Sequence, residues 1–223
     1  MGLQEQLSKL RNESRSRVSD DIKATQLDDL DALAKSGIIE AAPQLGDRLK
    51  DFSLQNHKGE VVSLAALRKQ GPVVISFYRG GWCPYCNLEL RAYQAILPEI
   101  KANGATLVAI TPELPDESLT TAERNELAFE VLTDRNSDYG REIGIVFTVS
   151  EAIRSIYKGF GIDLEKHNGE GQYDLPLAAT FVIDTDGTIV LAGVNADYTV
   201  RTEPADVLAS LKTLKNNKSE GDT

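Results

Sequence analysis

Cys83 and Cys86 are the only cysteines in a chain of 223 residues. They stand three positions apart, with Pro84 and Tyr85 between them. On a helix that spacing puts both sulfurs on one side, a single turn apart. Such a pair can cycle between dithiol and disulfide within one subunit, with no unfolding. The chemistry needs a thiolate, which is the nucleophilic form. Cys83 falls where an apolar run, Val73 to Tyr78, has ended and a helix begins. Unpaired backbone N–H groups and the positive end of the helix dipole favour a negative sulfur there. A free cysteine titrates near 8.5, and this position can lower that to roughly 3.5–7.5. Arg79, just upstream, can add a favourable charge.

Two blander readings compete: a pair of inert buried thiols, or half of a zinc site. Zinc takes about four ligands, and only His57 and His167 remain, both distant in sequence. No metal and no organic cofactor is implied. His57 reads as a surface residue in a hairpin turn, and His167 as one in a polar loop with Asn168 and Gly169. Neither is needed as a base, because the helix terminus already favours the thiolate. Gly80 and Gly81 read either as a simple turn or as room for the backbone to pass close to a substrate. Trp82 and Tyr85 flank the thiol. They read either as a contact surface for a peroxide or partner protein, or as ordinary packing.

The elements that must position this pair alternate strand and helix. Phe52–Leu54 and Val61–Val62 flank a turn and form a hairpin. Ser63 caps a short helix, and Val73 to Tyr78 reads as a central strand buried on both faces. A helix follows from about Cys83 to Asn103, with Pro84 in its first turn and a kink at Pro98. Ala105–Ile110 and Phe129–Thr133 read as strands, with a helix over Glu117–Leu127 between them. Ser150 caps a helix over Glu151–Phe160. A second hairpin spans Thr180–Asp184 and Thr188–Val194 around Asp184-Thr185-Asp186-Gly187. A last helix, Pro204–Leu214, precedes a polar tail, Lys215–Thr223, expected to be disordered. This order implies an α/β fold with a central sheet between helices.

The first 45 residues read as a helical extension. Leu3, Leu7 and Leu10 share one helical face. Ile22, Leu27, Leu30 and Leu33 mark a second helix stopped near Gly37. The charged stretch between, Arg11 to Asp21, reads as a solvated face or linker. The expected division is an extension over 1–45, a main domain over 46–216 and a polar tail over 217–223.

The net charge of -10 argues against a nucleic-acid partner and against an anionic membrane surface. The longest apolar stretch is far short of a membrane span. Met1 to Arg17 lacks the apolar core of a secretory signal, so a reducing cytoplasm is the expected compartment. Two cysteines this close in a cytosolic chain point to chemistry and not to a structural disulfide. Apolar helix faces near the N-terminus leave room for a homodimer.

The chain resembles the peroxiredoxin-like members of the alkyl hydroperoxide reductase / thiol-specific antioxidant family, over roughly Leu45 to Leu214. The resemblance rests on D-F-S-L at Asp51–Leu54 and on G-P-V-V-I-S-F-Y-R-G-G-W-C-P-Y-C-N-L-E-L at Gly71–Leu90. It continues with A-T-F-V-I-D-T-D-G at Ala179–Gly187 and D-Y-T-V-R-T-E-P at Asp197–Pro204. It implies a thioredoxin-like fold and a peroxidase recycled by thioredoxin or a similar dithiol. It also implies that Cys83 is the peroxidatic cysteine and Cys86 the resolving one. The family's usual Thr or Ser three residues before the reactive cysteine is Gly80 here, and the Pro four before that is Ser76. The active-site Arg before the strand at Thr180 is Ala178. Arg79 and Arg201 are the candidates to replace the lost donors.

Three functions follow. The first is a peroxidase acting on hydrogen peroxide or organic hydroperoxides, with Arg79 as a stabilising charge and Gly80, Gly81, Trp82, Tyr85 and Arg201 around the substrate. The second is a thiol-disulfide oxidoreductase, favoured by the C-P-Y-C spacing and the missing Thr and Arg. The third is a redox-sensing interaction module that uses its N-terminal helices as the partner surface.

Overall fold

A computed structural model describes residues 2–221. The chain opens with three helices, α1 (Leu3–Ser16), α2 (Asp20–Ala34) and α3 (Ile38–Ala41). Ser19 caps α2 by accepting from the Ile22 N–H. Gly37, in the left-handed region at φ 83°, stands between α2 and α3. The hairpin follows as β1 (Ser53–Asn56) and β2 (Val61–Ser63), then α4 (Leu64–Arg68), capped by Ser63. β3 (Val73–Phe77) leads into α5 (Pro84–Ala95) and α6 (Leu97–Ala102). The predicted single helix breaks at Ile96, because Pro98 has no N–H to continue the ladder.

β4 (Thr106–Thr111), α7 (Pro115–Arg124) and β5 (Glu130–Thr133) complete the parallel part. α8 (Asp138–Glu142), β6 (Val146–Thr148), α9 (Glu151–Gly159), α10 (Leu164–Asn168) and β7 (Asp174–Pro176) form an insert. The chain ends with β8 (Ala178–Ile183), β9 (Ile189–Asn195) and α11 (Pro204–Gly221). α11 runs through most of the tail expected to be disordered, so that expectation is corrected as far as Gly221. Lys215 is exposed there, and a straight-chain residue loses little rotamer freedom in a helix. Residues 222–223 lie outside the described residues.

The main sheet has seven strands in the order β2-β1-β5-β4-β3-β8-β9. β3, β4 and β5 are parallel neighbours, while β1, β8 and β9 pair antiparallel, so the sheet is mixed. β3 is buried along its whole length. Its odd residues, Val73, Ile75 and Phe77, face a core with Ile110, Phe181 and Tyr139. Val74 faces the other core, with Tyr93 and Ile100 from α5 and α6 and Leu211 from α11. Burial on both faces explains why β3 reads as an apolar run and not as an alternating one. A third cluster packs Leu3 and Leu7 of α1 against Tyr78, Cys83, Cys86 and Leu90. The small sheet β6-β7 is a pair of three-residue strands. The sequence reading missed it, together with α8 and α10, because elements this short carry almost no periodicity.

Candidate active site

The β3–α5 turn builds the site. Tyr78 N–H closes β3 by donating to the Ile110 carbonyl at 3.0 Å. Cys83 is the N-cap of α5, in extended conformation at φ -88° and ψ 112°, and Pro84 follows at the first helical position. The Cys83 carbonyl accepts the first helical bond, from Asn87 N–H at 3.1 Å. The Cys83 sulfur therefore sits beside the open N–H groups of a helix that continues to Ala95.

Glu113 anchors the turn, with its carboxylate accepting from Gly81 N–H at 2.9 Å and from the Thr121 hydroxyl at 3.4 Å. The Gly81 carbonyl accepts from the Asn87 side chain at 2.8 Å. The two glycines are there for packing. Gly80 lies at φ 149°, and a Cβ on it would come within 2.3 Å of Trp82 Nε1. A Cβ on Gly81 would come within 1.8 Å of Thr121 Oγ1. A Cβ on Gly80 would also meet Glu113, so the crowding by Trp82, Glu113 and Thr121 gives each glycine a packing reason in the turn.

Both cysteines are reduced and buried. Burial works against the Cys83 thiolate. A hydrogen bond from the Cys86 thiol and the charges of Arg79 and Arg201 outweigh it and bring the pKa down to about 6. Cys86 moves the other way. Burial, its bond to Cys83 and the Cys83 charge hold it well above the ordinary thiol range. The pair thus divides into a nucleophilic thiolate and an adjacent thiol that keeps its proton.

Arg79 is buried, and its guanidinium lies 4.1 Å from the Tyr198 ring centroid, 5.0 Å from Trp82 and 5.6 Å from Tyr157. It donates to the Tyr157 hydroxyl. Arg201 stands behind Cys86. Its Nη2 donates to Cys86 Sγ at 3.3 Å, its Nε donates to the Tyr198 carbonyl at 2.7 Å, and its Nη1 pairs with buried Glu89. Burial raises the Glu89 pKa, and the Arg201 charge opposes that rise. Thr180 donates to Glu89 at 3.3 Å and meets the Tyr93 hydroxyl at 3.0 Å. Arg201 is fully enclosed by these partners, against Cys86 and behind the residues that line the pocket.

A pocket of about 200 Å³ opens beside Cys83. Trp82 and Tyr85 line it, as do Arg79, Tyr157 and Tyr198. Its far wall is α1 and α2. The stretch from Arg11 to Val18, read from sequence as solvated or linking, is part of that wall. Sequence reasoning also missed Tyr157, Tyr198 and Glu89. Tyr198 and Glu89 fall inside the quoted family segments, while nothing local marks Tyr157.

His57 lies in the turn of the first hairpin. His167 is not in a loop: it sits in α10, with Nδ1 2.9 Å from Glu117 and 3.5 Å from Glu113. Glu113 and then Glu117 raise its pKa against the opposing effect of burial. These three residues offer ligand atoms within 4.8 Å of one another. Among the described residues no helix is long and apolar enough to cross a membrane.

A helix-capping thiolate beside a second thiol, on a sheet of this order, defines a thiol oxidoreductase of the thioredoxin fold. Residues 45–192 match the AhpC/TSA family, and the chain belongs to that family of thiol peroxidases. Peroxiredoxin Bcp of Escherichia coli K12 is 26% identical over 144 residues, covering 65% of this chain and 81% of its own length. The crystal structure of the peroxidoxin BcpB from Mycobacterium tuberculosis is similar with a TM-score of 0.60 and 22% identity, covering 76% of this chain and 97% of that one. The reduced 2-Cys peroxiredoxin of Plasmodium vivax has a TM-score of 0.62 and 14% identity, covering 80% and 86%.

Proposed function

We infer that this chain reduces hydroperoxides through Cys83 and resolves the product internally through Cys86. The Cys83 thiolate attacks the terminal oxygen of the peroxide, the O–O bond breaks, and Cys83 becomes a sulfenic acid. The leaving oxygen departs as an alkoxide or hydroxide and takes up a proton. Tyr157, which lines the pocket and whose oxygen accepts from Arg79, is the group assigned to supply it. Arg79 offsets the negative charge that builds up. The Cys86 thiol then condenses with the sulfenic acid, giving a disulfide and water. A thioredoxin-type dithiol in the cytoplasm returns the pair to the reduced state by thiol–disulfide exchange.

The observation that carries this reading is the placement of one thiol pair: Cys83 at the N-cap of α5 beside Arg79, which lowers its pKa, and Cys86 one turn on and buried, which keeps its proton. The test is peroxide consumption by wild type, Cys83→Ser and Cys86→Ser with a thioredoxin system. Cys83→Ser is expected to lose all turnover. Cys86→Ser is expected to complete one turnover and then over-oxidise. Oxidation of Cys83 in wild type no faster than that of a free thiolate would sink the reading.

One feature favours a second reading. Gly80 and Ala178 stand where the family's usual Thr and Arg are absent, and the C-P-Y-C pair suits a disulfide reductase. Reduction of insulin with negligible peroxide consumption would select it.

A further inference from the structure

The chain carries a net charge of -10, yet the pocket at Cys83 has the opposite sign. Four cationic side chains line it, Arg79, Arg11, Arg15 and Lys23, against a single carboxylate, Asp197. Three of the four come from α1 and α2, which lie outside the segment that matches the family. Asp197 is 3.7 Å from Arg11, and Lys23 pairs with Asp20 at 2.8 Å. Arg15 has no ion pair or hydrogen bond among the described residues, although it stands on the wall of a pocket in an acidic protein. α2 also supplies Leu27 and Leu30, and α9 is followed by Phe160, so apolar surface stands beside the cations. Leu27 and Phe160 are each about half exposed, at 49% and 48%. Exposed apolar surface beside unpaired positive charge fits a ligand with an apolar body and an anionic group. Hydrogen peroxide and small neutral hydroperoxides use neither feature.

We propose that α1 and α2 make this site selective for organic hydroperoxides that carry a carboxylate on an apolar body, through Arg15 with Arg11 and Lys23. This deepens the peroxidase reading and rests on it. The apolar body lies on Leu27, Leu30 and Phe160, the carboxylate meets the cations, and the hydroperoxide end reaches Cys83. The reaction is unchanged: the terminal oxygen goes to sulfur, and the alcohol retains the carboxylate. The cationic wall also draws the substrate in against the repulsion of the acidic surface, so the effect belongs mostly to association and is screened by salt.

The test uses two probes that differ only in charge, cumene hydroperoxide and its para-carboxylate derivative. The rate of Cys83 oxidation is followed by stopped-flow fluorescence on the full chain at low ionic strength. The carboxylate probe is expected to react about five- to tenfold faster. That ratio should fall toward one in Arg15→Gln, fall further in Arg11→Gln/Arg15→Gln, and shrink in 0.5 M salt. Because the readout compares two substrates in the same variant, a partly misfolded preparation lowers both rates and leaves the ratio interpretable. Fast reaction of both probes with equal rates overturns the selectivity and leaves the peroxidase reading standing. A preference that survives both the substitutions and the salt also overturns it. Slow reaction of every hydroperoxide in wild type, at the rate of a free thiolate, overturns both.

Discussion

At pH 7 a sulfur that titrates at about 6 is mostly ionised, so Cys83 needs no base to strip its proton. The charged form is the reactive one, and its fraction falls as pH drops through that value. Alkylation of Cys83 by iodoacetamide, or its oxidation by peroxide, is therefore expected to rise with pH, level off above neutrality, and be about tenfold slower at pH 5 than at pH 7. A midpoint near the ordinary thiol value would refute the charge assignment. Replacing Arg79 with Met removes one of the two cations that oppose burial at this sulfur, and the midpoint should move up by about one to three units. If the midpoint stays where it is, the hydrogen bond from Cys86 and the charge of Arg201 suffice without Arg79. At this scale the sequence was readable where the partners are local. Cys83, Cys86 and Arg79 lie within one turn of chain, and a spacing argument reaches that far. Arg201 was noticed, but its position behind Cys86 was not, because Glu89 fixes it there across more than a hundred residues.

At the scale of elements, α7 and α10 hold the reactive turn through one carboxylate, Glu113. α7 supplies Thr121 and Glu117, the segment before it supplies Glu113, and α10 brings His167 to both carboxylates. The His167 pKa is raised above its ordinary 6.5, so the folded state holds this proton more tightly than the unfolded chain. Its contribution is complete below about 6.5 and is lost as pH rises through the raised value. Partial solvent contact keeps it to about 1 kcal/mol or less. Urea midpoints of wild type and His167→Gln should therefore differ most near pH 6 and converge by pH 9. A difference that does not change with pH would show that His167 matters only through packing. Gly81→Ala tests the same anchor sterically: a methyl group at 1.8 Å from Thr121 Oγ1 must push α7 away from the turn. It is expected to cost about 1–3 kcal/mol. The long helices and strands of this layer were legible from periodicity, caps and Pro98. Of the insert between β5 and β8 only α9 was, since β6, β7, α8 and α10 are three to five residues each and are held by contacts far apart in sequence.

Over the whole molecule, α1 and the segment just before α11 meet beside the redox pair. The Glu203 carboxylate accepts from Leu3 N–H at 3.0 Å and Gln4 N–H at 2.7 Å, so it serves as the N-terminal cap that Gly2 cannot be. Gln4 answers by accepting from Arg201 N–H at 3.2 Å, two residues before Glu203. Held this way, α1 lays Leu3 and Leu7 over Tyr78, Cys83 and Cys86. The leucine spacing announced the helix, but nothing local in the first 45 residues says which surface it covers. A carboxylate 199 residues away decides that. Glu203→Ala strands two N–H donors and a favourable charge at a helix start, a loss of about 0.5–2 kcal/mol. The loss is local, so hydrogen exchange should speed up at the amides of α1 while β3 and β4 stay protected. With α1 loosened, the thiols beneath it lose their cover, and a bulky thiol reagent should modify Cys86 severalfold faster than in wild type. Unchanged exchange in α1 together with unchanged Cys86 labelling would mean that the helix is held by its leucines alone and that the link to Glu203 is incidental.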